Sequence, residues 1–499
     1  MVGPRITAVA IAAILLVSAC TRNGGAQAKP SPTPTPSVVM PTPGLVAWTD
    51  CGSGFQCGTV EVPLDYRRPE NGSIGIAINR KAATEPASRI GSLLINPGGP
   101  GGSGVSWVRE SAPGLKTLNR RFDLVGFDPR GVGLSSPVRC LDGPQEDAYN
   151  ALDPVLDDPQ EKAAAIQTDK DFALGCQQRS ATILPYVDTV SAARDMDLIR
   201  AAVGDPKLSY LGLSYGTYLG QMYAHLFPTH VRALALDGVV DPTLSANDIV
   251  LAQAAAFERN LQAFLADCAA RKAASSPCQY AQSGDPATKL NLLITRLDAS
   301  PMAVGSRLLT RGLAVIGVAY PLYDQNLWRY LDQALAQADQ GRGAILLALS
   351  DLYLERNADG TYKNATDANY AINCLDHPAP TDIAAYDQLG PAFAAASPLF
   401  GPAFQYSNLP CAYWPVRPTG HPGPLTADGA PPLLLVGGTN DPATPYAWAM
   451  SVHQQIAGSI LLTRNGNGHV SYFVSNCIQL IENAYLFNLT LPAEGTTCS

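Results

Sequence analysis

A serine stands between two glycines in the stretch YLGLSYGTYLG, residues 210–220. A strand-like apolar run precedes Ser214, and apolar residues recur after it at helical spacing until Pro228. A sharp strand-to-helix turn between Gly212 and Gly216 would raise the serine hydroxyl above a sheet, where it can act as a nucleophile. A bare GxSxG arises by chance in long chains, but here the flanking strand and helix provide the expected context. The sequence therefore predicts a nucleophilic serine and not a structural turn.

A serine nucleophile needs a general base that is oriented by an acid, and both follow the serine along the chain in this arrangement. Of the six histidines, only His453 and His469 follow the late apolar run PPLLLVGG. His453 lies in a helical pattern, whereas His469 ends the glycine-rich loop NGNGH after the last strand-like run. Asp441 lies in GGTNDPATP, just beyond the preceding run. We therefore predict a triad of Ser214, Asp441 and His469.

The negative oxygen of an acyl-transfer intermediate needs two backbone N–H donors. Tyr215, the residue after the nucleophile, should supply one of them. The glycine-rich stretch NPGGPGG, residues 96–102, should supply the other, with Gly98 favoured over Gly99. A phosphate-binding loop is the alternative for this stretch, but it has neither the P-loop Lys-Ser/Thr pair nor GxGxxG spacing.

Eight strand-like runs are available to position these residues. TVEVPLDY and IGIAIN alternate like an antiparallel pair, and the next four runs are continuous and apolar, as in buried parallel strands. Strand-like runs then cease at residues 245–409, where the pattern is helical, and two more follow before His469. The economical topology is an α/β sheet of eight mostly parallel strands with a helical cap inserted after its sixth strand.

Several motifs together resemble one family: NPGGPGGSG, FDLVGFDPRGVGLSSP, YLGLSYGTYLG, VRALALDGVVDP, AINCLDHP and GGTNDPATP. They are similar to α/β-hydrolases of the secreted tripeptidyl aminopeptidase and proline iminopeptidase group, especially actinobacterial envelope-anchored serine proteases. The resemblance extends from about residue 45 to the C-terminus. It implies the α/β-hydrolase fold and a serine exopeptidase acting on peptides or proteins. One departure is Val470 in GHVSY, where many relatives have glycine.

An exopeptidase of this kind must recognise a substrate α-ammonium group, which calls for carboxylates near the site. Asp237 in LDGVVDP and Asp376 in NCLDHP are the candidates, although a capping or structural role is the commoner one for such residues. An esterase or lipase acting on envelope lipids would use the same triad and is the main alternative. Epoxide hydrolases and dehalogenases would need a carboxylate at Ser214, and a binding protein without activity would not need all three triad residues.

The first residues have the pattern of an export signal. Arg5 precedes the apolar run ITAVAIAAILLV, which is too short to span a bilayer. Val-Ser-Ala then leads into Cys20, which resembles a bacterial lipobox and predicts lipidation of Cys20 and a membrane anchor; a signal peptide cleaved before an unmodified Cys20 is the alternative. The predicted segments are a signal peptide (1–19), a Pro/Thr/Ser-rich tether (20–44), the first part of the core (45–244), the helical cap (245–409) and the C-terminal part of the core (410–499).

Ten cysteines remain after Cys20, an even number in a chain predicted to be exported. No CxxC pair or zinc-like His/Cys spacing is present, so disulfides are favoured over a metal, and no cofactor is expected. Connectivity does not follow from sequence, but pairing of neighbours is the simplest hypothesis. A net charge of −8 gives no basic surface for nucleic acid. The expected pairs are Cys51–Cys57, Cys140–Cys176, Cys268–Cys278, Cys374–Cys411 and Cys477–Cys498.

Overall fold

The computed structural model describes residues 40–499, so the predicted signal peptide and Cys20 lie outside the described residues. From Pro41 to Ser499 the chain forms one compact unit. Its strands are β1 (Thr49–Asp50), β2 (Gln56–Pro63), β3 (Ser73–Lys81), β4 (Gly91–Asn96), β5 (Phe122–Phe127), β6 (Leu208–Leu213), β7 (Val231–Asp237), β8 (Met302–Val304), β9 (Arg307–Leu309), β10 (Leu434–Asn440), β11 (Ile460–Asn467) and β12 (Thr497–Cys498).

Ten of these strands form one sheet in the order β1-β2-β3-β5-β4-β6-β7-β10-β11-β12. Pairing is antiparallel from β1 to β5 along this order and parallel from there to β12. The eight longer strands coincide with the eight predicted runs. The two additional strands, β1 and β12, are two-residue edge pairings, too short to leave a periodic signal.

The central parallel strands are buried on both faces. Every residue of β4, β5 and β6 is buried, which explains why their sequences are continuously apolar and do not alternate. Helices cover the sheet and connect the strands, which places the carboxyl ends of β4, β6, β10 and β11 along one edge. The helices before the insertion are α1 (Gly104–Ser111), α2 (Lys116–Asn119), α3 (Gly143–Asn150), α4 (Pro159–Ser180), α5 (Thr189–Ala202) and α6 (Tyr215–Leu226).

The segment between β7 and β10 is mainly helical and has a hydrophobic core of its own, in which Phe257, Phe264 and Trp328 are buried. The sequence predicted no strands here, but β8 and β9 form a short antiparallel hairpin. Three-residue strands are too short to be recognised by alternation. The helices of this segment are α7 (Ala246–Ala270), α8 (Pro286–Ala299), α9 (Arg311–Ala319), α10 (Trp328–Ala338), α11 (Ala344–Tyr353), α12 (Ala365–Asp376), α13 (Ile383–Asp387), α14 (Gly390–Ala396), α15 (Phe400–Phe404) and α16 (Leu409–Ala412), and α17 (Tyr446–Gln455) and α18 (Asn476–Asn488) follow.

Five disulfides close short loops within the described chain, and each joins the neighbours expected from the sequence. Cys374–Cys411 joins α12 to α16, and Cys477–Cys498 joins α18 to the last strand. In the described part of the chain, none of the helices combines the length and the apolar character needed to cross a membrane.

Candidate active site

Ser214 lies at the turn between β6 and α6, with backbone angles φ 56° and ψ −127°. This conformation is rare for a residue with a side chain, and it lifts the hydroxyl out of the end of the sheet. Both flanking glycines are required sterically. A Cβ on Gly212 would lie 2.5 Å from the Gly216 carbonyl oxygen, and one on Gly216 would lie 2.6 Å from that of Asn96. The predicted turn is therefore present.

Asp441 and His469 are brought together from the ends of β10 and β11. His469 Nδ1 lies 2.9 Å from both carboxylate oxygens of Asp441. The backbone N–H groups of Ala443 and Thr444 donate to Asp441 Oδ1 at 2.9 and 2.8 Å, so the carboxylate is held in place. Because Nδ1 carries the proton donated to Asp441, Nε2 is left as the acceptor that a general base needs.

Ser214 and His469 line the same cavity. The His469 backbone N–H donates to the Tyr323 carbonyl at 2.7 Å, and the Tyr323 ring lies edge-on to the imidazole at 5.4 Å. The inserted helical segment therefore helps to place the imidazole. The Ser214 hydroxyl makes no hydrogen bond within residues 40–499, and such bonds commonly tighten only when substrate binds.

The oxyanion donors differ in one respect from the sequence expectation. Tyr215 is the first residue of α6, so its N–H has no intrahelical partner and is available. The Gly98 N–H, which was the favoured second donor, already donates to Asn96 Oδ1 at 2.9 Å. The Gly99 N–H has no partner among the described residues, and Gly99 lines the cavity. Of the two predicted candidates, Gly99 is therefore the one whose N–H is available to act as the second donor.

Gly98 has a steric role in this arrangement. Its φ is 96°, and an added Cβ would lie 2.5 Å from the Leu213 carbonyl oxygen and 2.9 Å from the Tyr215 nitrogen. A glycine is thus needed for the loop to lie directly against the turn that carries Ser214.

Asp237 does not reach the cavity. Its side chain is fully buried, and Oδ2 accepts the backbone N–H groups of Ser471 and Tyr472 at 2.6 and 2.8 Å. Burial raises the pKa of Asp237 to about 6, although these two N–H donors act in the opposite direction. The residue anchors the loop that follows His469, which is the structural role expected more often for such a residue, and it is not placed to bind a substrate ammonium group.

Asp376 is also buried away from the cavity. It accepts the Thr189 backbone N–H at 2.9 Å and the Thr189 hydroxyl, and that hydroxyl also bonds to the Tyr215 phenol. Burial raises the pKa of Asp376 to about 7. This chain connects α12 to the side chain of the residue that follows the nucleophile. Asp376 was a candidate for substrate binding, but it has the structural role that is commoner for such residues.

The cavity has a volume of about 910 Å³ and lies between the carboxyl edge of the sheet and the inserted helices. Ser214, His469 and Gly99 lie on its core side, and Tyr320 and Tyr353 contribute from the inserted segment. The charged residues of the cavity come from separate loops and helices and have no common spacing, so no sequence pattern marks them. They are Glu110, Asp153, Asp169, Glu355 and Lys363.

Val470, where the sequence departs from the resembling family, has a φ of 64°. A β-branched residue is strongly disfavoured in this left-handed region, whereas glycine adopts it readily. Val470, the residue after His469 in the chain, lines the cavity as His469 does. The substitution therefore adds apolar volume to the site at the expense of backbone strain.

Two groups of potential metal-binding side chains occur in residues 40–499, and neither resembles a working metal site. Cys268 and Cys278 approach Asp332 but are joined in a disulfide. The other group is Asp153, Glu161 and Asp298. Arg311 already lies 2.6 Å from Asp153 and 3.1 Å from Asp298, so these carboxylates have a cation.

Comparison with known proteins agrees with this geometry. The sequence profile of the alpha/beta hydrolase fold matches residues 91–475. The chain belongs to the α/β-hydrolase family. This hydrolase is 38% identical to serine protease Hip1 of Mycobacterium tuberculosis over 485 residues, which cover 91% of each chain.

Two further relatives of this α/β-hydrolase have different names. A tripeptidyl aminopeptidase of Streptomyces lividans is 34% identical, over 91% of this chain and 86% of the relative. A protein of M. tuberculosis named carboxylesterase B is 36% identical, over 89% of this chain and 86% of the relative. Given the serine turn and its protease and aminopeptidase relatives, the chain is a serine hydrolase of the peptidase type.

Proposed function

We propose that this protein is an exported aminopeptidase in which Ser214, His469 and Asp441 act as a catalytic triad. The observation that carries the proposal is the Asp441–His469 pair, with Nδ1 2.9 Å from the carboxylate, opening onto the same cavity as the strained Ser214. An acid, a base and a nucleophile from three separate strand ends meet at one edge of the sheet. A structural role would not require that convergence.

The reaction proceeds through an acyl-enzyme. Ser214 Oγ attacks the scissile carbonyl carbon while His469 Nε2 accepts the hydroxyl proton, and the Asp441 carboxylate stabilises the imidazolium. The C–N bond then breaks as His469 donates that proton to the leaving amine. Water, activated by the same imidazole, hydrolyses the ester and restores Ser214.

The negative oxygen formed in each half-reaction accepts hydrogen bonds from Tyr215 N–H and Gly99 N–H. Gly98 and Asn96 hold the loop in place, because the Gly98 N–H donates to the Asn96 side chain. Donors fixed before the reaction begins stabilise charge without reorganisation, and removing one typically costs about 10²- to 10³-fold in kcat.

Release of short peptides from a free N-terminus is the specific activity that we propose. It is supported by the name of the Streptomyces relative, tripeptidyl aminopeptidase, and by the position of the cavity beneath the inserted helices. Four carboxylates line the cavity, and two of them, Glu110 and Asp169, have no cationic partner among the described residues, which favours a cationic group on the substrate.

Export and a lipid anchor on Cys20 are further parts of the proposal. They are supported by the signal-like sequence before Cys20 and by five disulfides, which persist in oxidising compartments. The lipid would hold the enzyme on the outer face of the cell membrane, with the Pro-rich tether between anchor and fold. Mass spectrometry of the mature N-terminus tests this part, and an unmodified Cys20 would contradict it.

An esterase acting on acyl esters is the second candidate function. It is favoured by the 36% identical relative named carboxylesterase B, and the same triad would serve it. The two functions differ in the leaving group and not in the nucleophile.

A substrate panel separates the two candidates. The purified protein is given tripeptidyl, aminoacyl and N-acetylated tripeptidyl chromogenic amides, together with short and long acyl esters. We expect the highest kcat/KM for tripeptidyl amides with a free N-terminus. Hydrolysis of esters without any peptide cleavage would support the esterase and contradict the proposed peptidase.

A further inference from the structure

Asp169 is a carboxylate buried in the wall of the cavity. It lies on α4, and the residue is only 8% exposed. Oδ1 accepts a hydrogen bond from the Tyr149 phenol at 3.2 Å. Within the described residues Oδ2 has no hydrogen-bond partner, and neither oxygen has an ion-pair partner. A buried carboxylate with a single neutral donor is costly and calls for a reason.

The other carboxylates of the cavity differ from Asp169 in this respect. Asp153 bonds to the Arg311 guanidinium at 2.6 Å, and Glu355 lies 3.8 Å from the Lys363 ammonium. Glu110 is exposed to solvent. Asp169 is therefore the cavity carboxylate that is both buried and without a cation in the described chain.

Aromatic rings surround this carboxylate. The Tyr149 ring stacks on Phe172 with centroids 5.1 Å apart, and the Tyr370 ring lies edge-on to the same Phe172 at 5.2 Å. Tyr149 and Tyr370 both line the cavity, and packing against Phe172 fixes their orientation. A carboxylate beside tyrosine rings is the environment in which a cationic group is bound through charge and through the ring faces.

The electrostatics of Asp169 are consistent with an incoming cation. Burial raises the pKa of Asp169 to about 7, because no positive charge compensates the carboxylate. A substrate cation placed beside it would favour the ionised form and would itself be held by an ion pair in a site of low water content.

Helix α12 connects the rings beside Asp169 to the catalytic centre. Tyr370 lies on α12, and the neighbouring Asn369 side chain donates to the Pro100 carbonyl at 3.0 Å. Pro100 follows Gly99 in the glycine-rich loop of residues 96–102, called here the oxyanion loop. A ligand beside Tyr370 is therefore held at a set distance from the oxyanion donors, as cleavage at a defined residue from one end of a peptide requires.

We propose that Asp169, with the rings of Tyr149 and Tyr370, forms a subsite for an ammonium group of the peptide substrate, namely its free N-terminus. This inference rests on the proposed peptidase function and assigns to Asp169 the role that the sequence suggested for Asp237 and Asp376. A lysine side chain carries the same chemical group, and the experiment distinguishes the two sources.

The test compares Asp169→Asn with the wild-type enzyme on three substrates: a tripeptidyl amide with a free N-terminus, its N-acetylated form and an uncharged acyl ester. We expect the variant to lose about 100-fold in kcat/KM on the free peptide, because its ammonium group loses its partner. The acetylated peptide and the ester should change less than about threefold. Asp171→Asn, two residues away on the exposed side of α4, is the matched control and should leave all three unchanged.

Two further measurements protect the conclusion if Asp169→Asn folds poorly. Tyr370→Leu removes only an aromatic ring. It should lower kcat/KM for the free peptide by about tenfold without changing kcat/KM for the ester. In a Ser214→Ala background, calorimetry should give tighter binding of the free than of the acetylated peptide. Acetylated peptides that contain either lysine or norleucine identify the source of the ammonium group. If the wild-type enzyme cleaves the lysine peptide faster and Asp169→Asn removes this preference, the subsite binds a lysine side chain and not the N-terminus.

The outcomes separate this inference from the proposed function. If the wild-type enzyme cleaves free and acetylated, lysine-free peptides equally well, the peptidase function stands and the ammonium subsite is wrong. If Asp169→Asn lowers kcat/KM equally for all three substrates, the residue has a structural role and the proposed subsite is also wrong. If the wild-type enzyme cleaves esters but no peptide, the proposed function itself fails, irrespective of Asp169.

Discussion

At the scale of single residues, the site depends on side chains that the backbone holds in unusual positions. Ser214 has a positive φ, and Asp441 is 1% exposed with its carboxylate shared between His469 and two backbone N–H groups. Both arrangements are unfavourable for the residue alone, because a positive φ is costly for serine and a buried carboxylate needs hydrogen-bond donors. They persist because strand ends and tight loops over-determine them.

Removing any member of the triad should abolish most of the activity without unfolding the protein. Ser214→Ala, Asp441→Asn and His469→Ala are each expected to lower kcat by about 10⁴- to 10⁶-fold, and a double variant should lose little more than a single one, because the three act as a unit. Steady-state kinetics with circular dichroism checks this. A folded and fully active Ser214→Ala protein would refute the assignment.

Val470 provides a residue-scale test of strain. Val470→Gly removes the cost of a Cβ at φ 64°, whereas Val470→Ala keeps a Cβ and loses the same packing methyl groups. We expect the glycine variant to exceed the alanine variant by about 1 kcal/mol in free energy of unfolding. Urea titration of both variants measures the difference, and equal stabilities would show that the backbone at this position is not strained.

At the scale of elements, α12 links the inserted segment to the catalytic turn. A Cβ on Gly101 would lie 2.4 Å from the Ala365 carbonyl oxygen, so the start of α12 rests directly on the oxyanion loop. At its other end, Asp376 bonds to Thr189, and the Thr189 hydroxyl bonds to the Tyr215 phenol. α12 thus contacts the loop of residues 96–102 directly and is linked to Tyr215 through Thr189.

Thr189 offers a test of whether this link positions Tyr215. Thr189→Val removes the hydroxyl that joins Asp376 to the Tyr215 phenol, and kcat should fall about tenfold while KM stays within about threefold, since the oxyanion matters most in the transition state. Thr189→Ser keeps the hydroxyl and should restore kcat. Equal losses for serine and valine, or a change confined to KM, would assign Thr189 to packing alone.

At the scale of the whole molecule, several buried carboxyl groups form no ion pair within the described residues, and their pKa values are raised by burial. Between the unfolded-state value, near 4, and the raised value, the folded state binds more protons than the unfolded state. Its stability is therefore greatest at the acid end of this interval and falls as pH rises through the raised values. Five of these groups have pKa values of about 8 (Glu146), about 7 (Asp169 and Asp376) and about 6 (Asp237 and Asp367), and the pKa of Glu482 is also raised well above its usual value.

The midpoint of thermal unfolding should therefore increase as pH is lowered from 8 to about 5. His377 acts in the opposite direction, because burial lowers its pKa to about 4 and the unfolded state binds more protons below pH 6.5. One histidine does not offset five carboxyl groups. Glu146→Gln should flatten the upper part of the profile, and a midpoint that rises steadily towards pH 8 would contradict the prediction.

The sequence by itself determined eight of the ten strands of the sheet, the turn at Ser214, and the strand ends at which Asp441 and His469 lie. These are encoded locally: buried strands are continuously apolar, and a strained turn needs glycines at fixed spacing around the nucleophile. The order of the acid and the histidine along the chain follows from the order of the strands. Pairing of neighbouring cysteines was also the simplest expectation, because each loop closes over a short distance.

Only the tertiary structure decided which polar groups line the cavity. The sequence pointed to Asp237 and Asp376, but both are buried against backbone N–H groups, and Asp169 on α4 lines the cavity instead. It also favoured Gly98, whose N–H is occupied by Asn96. The physical reason is that exposure and hydrogen-bond occupancy depend on residues far apart in the chain, which become neighbours only when the helices and strands pack together.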